Sequence, residues 1–148
     1  MRRVVPLRSP ETREFPRLGT DGVVPSDSKH VLLAEDEPVI RDLVEGLLDS
    51  WGYRVFPAGN GREALEIAEV HEGPIHLLVS DVTMPEMEGP ELAEKLKAKL
   101  PKLRVILLSG YCHTEIVLHR GWKFIQKPFQ LQEFRAAVED MWKPENSL

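Results

Sequence analysis

The stretch VLLAEDEP, residues 31–38, decides the fold. Val31-Leu32-Leu33-Ala34 is a short continuous apolar run, the pattern of a strand buried on both faces. It breaks off at Glu35-Asp36-Glu37, and Pro38 suits the first turn of a helix. Ile40, Leu43, Val44, Leu47, Leu48 and Trp51 then recur at three- and four-residue steps, with Gly52 where a helix-ending glycine belongs. A buried strand, an acidic turn and an amphipathic helix are the opening of a β-α unit.

The same alternation continues outward. Tyr53 to Phe56 reads as a second strand. Asn60 can cap a helix, with Glu63 three residues on and Ala64, Leu65, Ile67 and Ala68 as its apolar side; Gly73-Pro74 stops it. Ile75 to Ser80 is a third apolar run, ending at Asp81. Pro90 opens a helix with Leu92, Ala93, Leu96 and Leu100 inward, and Pro101 closes it. Arg104 to Leu108 is a fourth run, ending at Ser109. A short helix is expected around Thr114 to His119, and a fifth strand over Lys123 to Gln126 ends at Lys127-Pro128. Leu131, Phe134, Val138 and Met141 define a last helix, ended near Pro144. Five strands alternating with five helices predict an α/β fold: a doubly wound, mostly parallel sheet with helices on both faces.

Composition sets bounds on this reading. The chain has 148 residues, the length of one domain, and 42% of them are hydrophobic, enough for a core. No apolar run is long enough to span a bilayer, and Arg2, Arg3, Pro6, Arg8 and Pro10 interrupt any signal-like apolar stretch. A cytoplasmic protein is expected. A single cysteine, Cys112, excludes an internal disulfide and a cysteine-built zinc site. Residues 1–30 carry a net charge of +2 and residues 31–148 a net of −7. The acidic body argues against nucleic acid as a partner. Residues 1–29, with four prolines and no apolar period, read as a flexible tail or linker; 30–143 form the domain and 144–148 a short C-terminal tail.

In an open parallel sheet the ligand site lies beyond the carboxyl ends of the strands, at the point where the strand order reverses. This sequence places Glu35, Asp36 and Glu37 after the first strand, Asp81 after the third, Ser109 after the fourth and Lys127 after the fifth. With strand order 2-1-3-4-5, the first and third strands are neighbours, so Glu35, Asp36 and Asp81 converge. Clustered carboxylates repel, and Mg²⁺, which takes oxygen ligands and often shares its site with a phosphate, relieves the repulsion. Asp81 can also accept a phosphoryl group as an aspartyl-phosphate. Mg²⁺, Lys127 and the Ser109 hydroxyl would each meet one phosphoryl oxygen. Alone, each feature has a plainer reading: an acidic helix start, a surface lysine, a loop serine. His71, His76, His113 and His119 show no metal-ligand spacing, and His76 reads as core-edge.

VLLAEDEP (31–38), SDVTMPEMEG (80–89), LLSGY (107–111) and KFIQKPF (123–129) together resemble the receiver domain of two-component response regulators, of the chemotaxis-regulator-like kind, stand-alone or attached to hybrid kinases. The resemblance implies a flavodoxin-like (βα)₅ fold and a phosphoacceptor at Asp81. It implies Mg²⁺ held by Glu35, Asp36, Asp81 and the main-chain carbonyl of Thr83. Ser109 would be the switch hydroxyl, Phe124 its aromatic partner and Lys127 the site lysine. A cis peptide before Pro128 is a further implication. The expected function is signalling rather than enzymatic: a phosphoryl group arrives from a histidine kinase or histidine phosphotransfer protein, and the domain changes shape to control a separate effector protein.

Departures from the family pattern are Glu35 where aspartate is commoner, Phe124 without a tyrosine hydroxyl, and 18 residues from Ser109 to Lys127, a few short of usual. No second domain follows Leu148, so no DNA-binding output is expected, and the abbreviated segment before the fifth strand predicts a monomer. Two alternatives are an aspartyl-nucleophile phosphatase-like hydrolase and a degenerate receiver acting only as a binding module. The hydrolases usually carry an aspartate two residues after the nucleophile, where this chain has Thr83.

Overall fold

The computed structural model describes residues 28–71, 73–110 and 122–142. Five parallel strands are ordered β2-β1-β3-β4-β5: β1 His30–Ala34, β2 Arg54–Ala58, β3 Leu77–Asp81, β4 Arg104–Ser109 and β5 Trp122–Gln126. The described helices are α1 Pro38–Ser50, α2 Gly61–Val70, α3 Gly89–Lys99 and α4 Leu131–Asp140. The short helix expected at 114–119, the C-terminal tail and all but the last two residues of the N-terminal tail lie outside the described residues.

Strand periodicity splits the core in two. Val31 and Leu33, Leu77 and Val79, and Ile106 and Leu108 face α1 and α4, where Val44, Leu48, Phe134 and Val138 are buried against them. Leu32 and Ala34, Leu78, and Val105 and Leu107 face α2 and α3, against Ala64, Leu92, Ala93 and Leu96. Both faces are covered, which is why these strands read as unbroken apolar runs rather than alternations.

The helix ends follow from local chemistry. Gly52, at φ 97°, takes the left-handed position after α1. There the Tyr53 N–H reaches the Leu48 carbonyl at 3.1 Å and the Gly52 N–H reaches that of Asp49 at 3.0 Å. Asn60 caps α2 by accepting the Glu63 N–H at 2.7 Å. The reciprocal arm is displaced by one residue, because the Glu63 carboxylate accepts from Gly59 at 2.6 Å rather than from Asn60.

Three expectations need correction. The second strand runs two residues past Phe56, to Ala58, because it pairs with β1 along the full length of that strand. The third begins at Leu77 rather than Ile75. Ile75 is buried, but ladder pairing with β1 starts only at Val31–Leu77. Leu43 and Leu131, counted among the inward helix positions, are 53% and 52% exposed. Periodicity marks a face; it does not say how far the neighbouring layer extends over it.

Candidate acidic phosphoacceptor site

Register brings the acids together. Ala34 pairs with Ser80, so the next residues, Glu35 just past β1 and Asp81 at the end of β3, come side by side at the β1–β3 junction, where the chain direction across the sheet reverses. Glu35, Asp36 and Asp81 each offer an oxygen within 4.8 Å of the others. Glu35 and Asp81 are buried and Asp36 is exposed. Lys127 closes the group from the far side, with Nζ 3.0 Å from Asp81 Oδ1 and 3.2 Å from Glu35 Oε1.

Each side chain is held by its own local structure. Buried Glu35 has every polar group engaged. Its N–H donates to the Ala58 carbonyl at 3.0 Å. Its carbonyl accepts from Arg41 Nη1 at 2.9 Å. Its second carboxylate oxygen accepts the Glu37 N–H at 3.2 Å. Lys127 is fixed by its own backbone, whose N–H donates to the Ser109 carbonyl at 2.6 Å, and the Lys127–Pro128 peptide that follows is cis. Ser80 Oγ donates to the Asp81 carbonyl at 2.8 Å.

Electrostatics follow from burial among like charges. Glu35 is pushed up to about 7, first by burial and then by the Asp81 charge beside it. Asp81 is also raised, by burial, although the hydrogen bond and charge of Lys127 act against the rise. Burial alone would lower the Lys127 ammonium, but the Asp81 hydrogen bond and charge, followed by Glu35, carry it above its ordinary value. The site thus holds more negative charge than one lysine neutralises. Two buried carboxylates and one exposed one, all oxygen donors, are the set a hard divalent cation takes.

An open cleft of about 580 Å³ leads to these groups. Asp36, Glu37, Asp81, Thr83, Ser109 and Lys127 line its polar side, and Ile40, Leu43, Pro128 and Phe129 its apolar side. All the rim residues anticipated from sequence line this cleft except Glu35, which is buried and meets Lys127 Nζ at 3.2 Å. Phe124 does not line it. It is half-buried on the α2–α3 side of the sheet, paired in register with Leu107. Sequence reading missed Arg41, whose role depends on a backbone carbonyl six residues away, and Leu43, whose exposure in the cleft no periodicity reveals.

The family model for the response regulator receiver domain matches residues 31–139. The chain belongs to the response regulator receiver family. This receiver is 39% identical over 120 residues to the sensor kinase CckA of Brucella abortus, covering 78% of this chain but only 13% of CckA. It is 33% identical over 117 residues to the response regulator receiver protein CpdR of the same organism, covering 76% of this chain and 96% of CpdR. Among solved structures, the receiver domain of the hybrid histidine kinase CckA superposes with a TM-score of 0.68 at 36% identity, over 77% of this chain and 99% of that one. The response regulator TrrA of Thermotoga maritima, solved with Mg²⁺ and beryllofluoride, gives 0.66 at 31% identity, over 76% of this chain and 98% of that one. The doubly wound sheet expected from the alternation of strands and helices, and the receiver fold implied by the resemblance, are the fold observed. Among the described residues, no helix is long and apolar enough to cross a membrane.

Proposed function

We propose that this receiver takes a phosphoryl group onto Asp81 from a phosphohistidine, borne by a histidine kinase or a histidine phosphotransfer protein, in the cytoplasm. The observation that carries the proposal is the buried Asp81 carboxylate flanked by Glu35 and Asp36 with Lys127 Nζ at 3.0 Å. An Asp81 oxygen attacks phosphorus in line. The new P–O bond forms as the P–N bond breaks, and the bonding pair stays on the departing imidazole nitrogen. Lys127 neutralises one phosphoryl oxygen and the Ser109 hydroxyl donates to another. Glu35, Asp36, Asp81 and the Thr83 main-chain carbonyl would hold Mg²⁺, which when bound neutralises charge on the phosphoryl group.

The domain is then a signalling device rather than an enzyme, with slow autodephosphorylation as its only turnover. Thr83, two residues after Asp81, offers no carboxylic acid to protonate a leaving group. Ser109 moving toward the phosphoryl group, with Phe124 repacking, would shift the domain between two packings that a separate effector protein distinguishes. Nucleic acid and membrane have no part in this reading. Residues 30–143 would carry the function, with 1–29 and 144–148 as tails.

Acetyl phosphate with Mg²⁺ tests it. A base-labile adduct on the wild type that is absent from Asp81→Asn, with the circular dichroism of the two proteins alike, is expected. Undiminished labelling of Asp81→Asn would place the phosphate elsewhere. Rapid turnover of organic phosphates would indicate a hydrolase, and no reaction a binding module.

A further inference from the structure

Three histidines meet at the pole of the sheet opposite the acidic cleft. His30 opens β1, His71 follows α2 and His76 precedes β3. His30 Nδ1 lies 3.0 Å from His71 Nε2. The main-chain N–H of His30 donates to His76 Nδ1 at 2.9 Å. The rings of His71 and His76 stand edge-on to that of His30, at 72° and 88°.

These contacts fix protonation states. His76 Nδ1 accepts an N–H, so it carries no proton and the ring is neutral. Between the His30 and His71 rings one nitrogen donates and the other accepts, according to the tautomer. The charged groups around them push the same way. His30 titrates below the usual histidine value because it is partly buried and feels the charges of His71 and of Arg54 of β2, against the opposing pull of the Pro74 carbonyl. His76 titrates low because it is partly buried and faces Lys29, His30, Arg104 of β4 and His71. Those fixed cations also disfavour a divalent metal ion here, although two imidazole nitrogens are in place.

We infer that His76 is an acid-released latch holding the root of β1 in the sheet, with His30 and His71 as its partners. Protonation turns His76 Nδ1 from acceptor to donor opposite the His30 N–H, and the hydrogen bond becomes a repulsion. The neighbouring rungs are the His76 N–H to the His30 carbonyl and the Arg54 N–H to the Lys29 carbonyl, both at 2.9 Å. Proton uptake therefore frees the first rungs of β1, where residues 1–29 join the sheet. Ala34 and the acidic cleft lie at the other end of the strand, so the latch opens without dismantling the phosphoacceptor site.

A histidine whose folded value is depressed supports the fold at pH above its unfolded value, and that support is lost as pH falls through the folded value. The unfolded value is 6.5. The test uses the full chain and two nuclear magnetic resonance readouts, the His76 ring titration and the exchange protection of the His30 amide corrected for intrinsic exchange. The comparison is with His76→Asn, whose Oδ1 accepts the same N–H without titrating. The wild-type protection should fall several-fold, up to about tenfold, between about pH 7.5 and about pH 5.5, and His76→Asn should keep most of it. Protection independent of pH in the wild type, an equal fall in His76→Asn, or a His76 ring titrating at or above 6.5 would overturn the inference. Should His76→Asn fail to fold, the two wild-type readouts decide alone.

Discussion

Glu35 shows how much one residue of the site depends on its surroundings. In sequence it is the first acid of a helix-start triplet, and its place after a buried strand was enough to nominate it. Its titration near 7 was not legible, because that value comes from full burial beside Asp81, which is 46 residues away in the chain. The consequence has a definite sign. A carboxyl group whose folded value is raised contributes stability that is fully present below its unfolded value of 4.5 and lost as pH rises through about 7. A bound cation competes with that proton and replaces its effect at higher pH. Mg²⁺ should therefore raise the urea midpoint more at about pH 8 than at about pH 5.5, and Asp36→Ala should shrink the difference. Parallel urea titrations with and without Mg²⁺ measure it. An equal Mg²⁺ effect at the two pH values, or an undiminished difference in Asp36→Ala, would remove Glu35 and Asp36 from the cation site.

At the scale of elements, the loop from Asp81 into α3 carries the site. Sequence marks Pro90 as a helix opener without saying what Gly89 before it is for. In the fold, the Gly89 N–H donates to the Val82 carbonyl at 2.8 Å as α3 starts across the end of β3. A Cβ at Gly89 would collide with the Asp81 carbonyl oxygen and sit 3.0 Å from Ser80 Oγ. The backbone bearing the Asp81 carboxylate would have to move. Gly89→Ala should cost about 1–3 kcal/mol in urea denaturation and weaken Mg²⁺ binding in calorimetry. Wild-type stability and affinity in this variant would mean that the loop shifts freely and does not set the site. The shifted bounds of β2 and β3 belong to the same scale. Both follow from pairing with β1, an interaction between segments that local periodicity cannot register.

For the whole molecule, β5 begins at Trp122, which leaves residues 110–121 to connect it to β4. The brevity of that connection in sequence is the ground for expecting the chain to stay monomeric when the Asp81 site is filled. Light scattering with and without beryllofluoride and Mg²⁺ measures this, and a doubled mass on addition would contradict it. The sequence by itself determined the alternation of buried strands and amphipathic helices, hence the doubly wound sheet. It also determined which chemical groups stand at the strand ends, because both are encoded locally, by runs of apolar residues and by the residues that interrupt them. Only the tertiary structure decided the distances and charge states. Lys127 reaches two carboxylates at once, Arg41 holds the Glu35 carbonyl, and three histidines that look unrelated in the chain form one cluster at the far pole. Those outcomes depend on strand register and on the exclusion of water from packed side chains, which exist only once distant segments have paired.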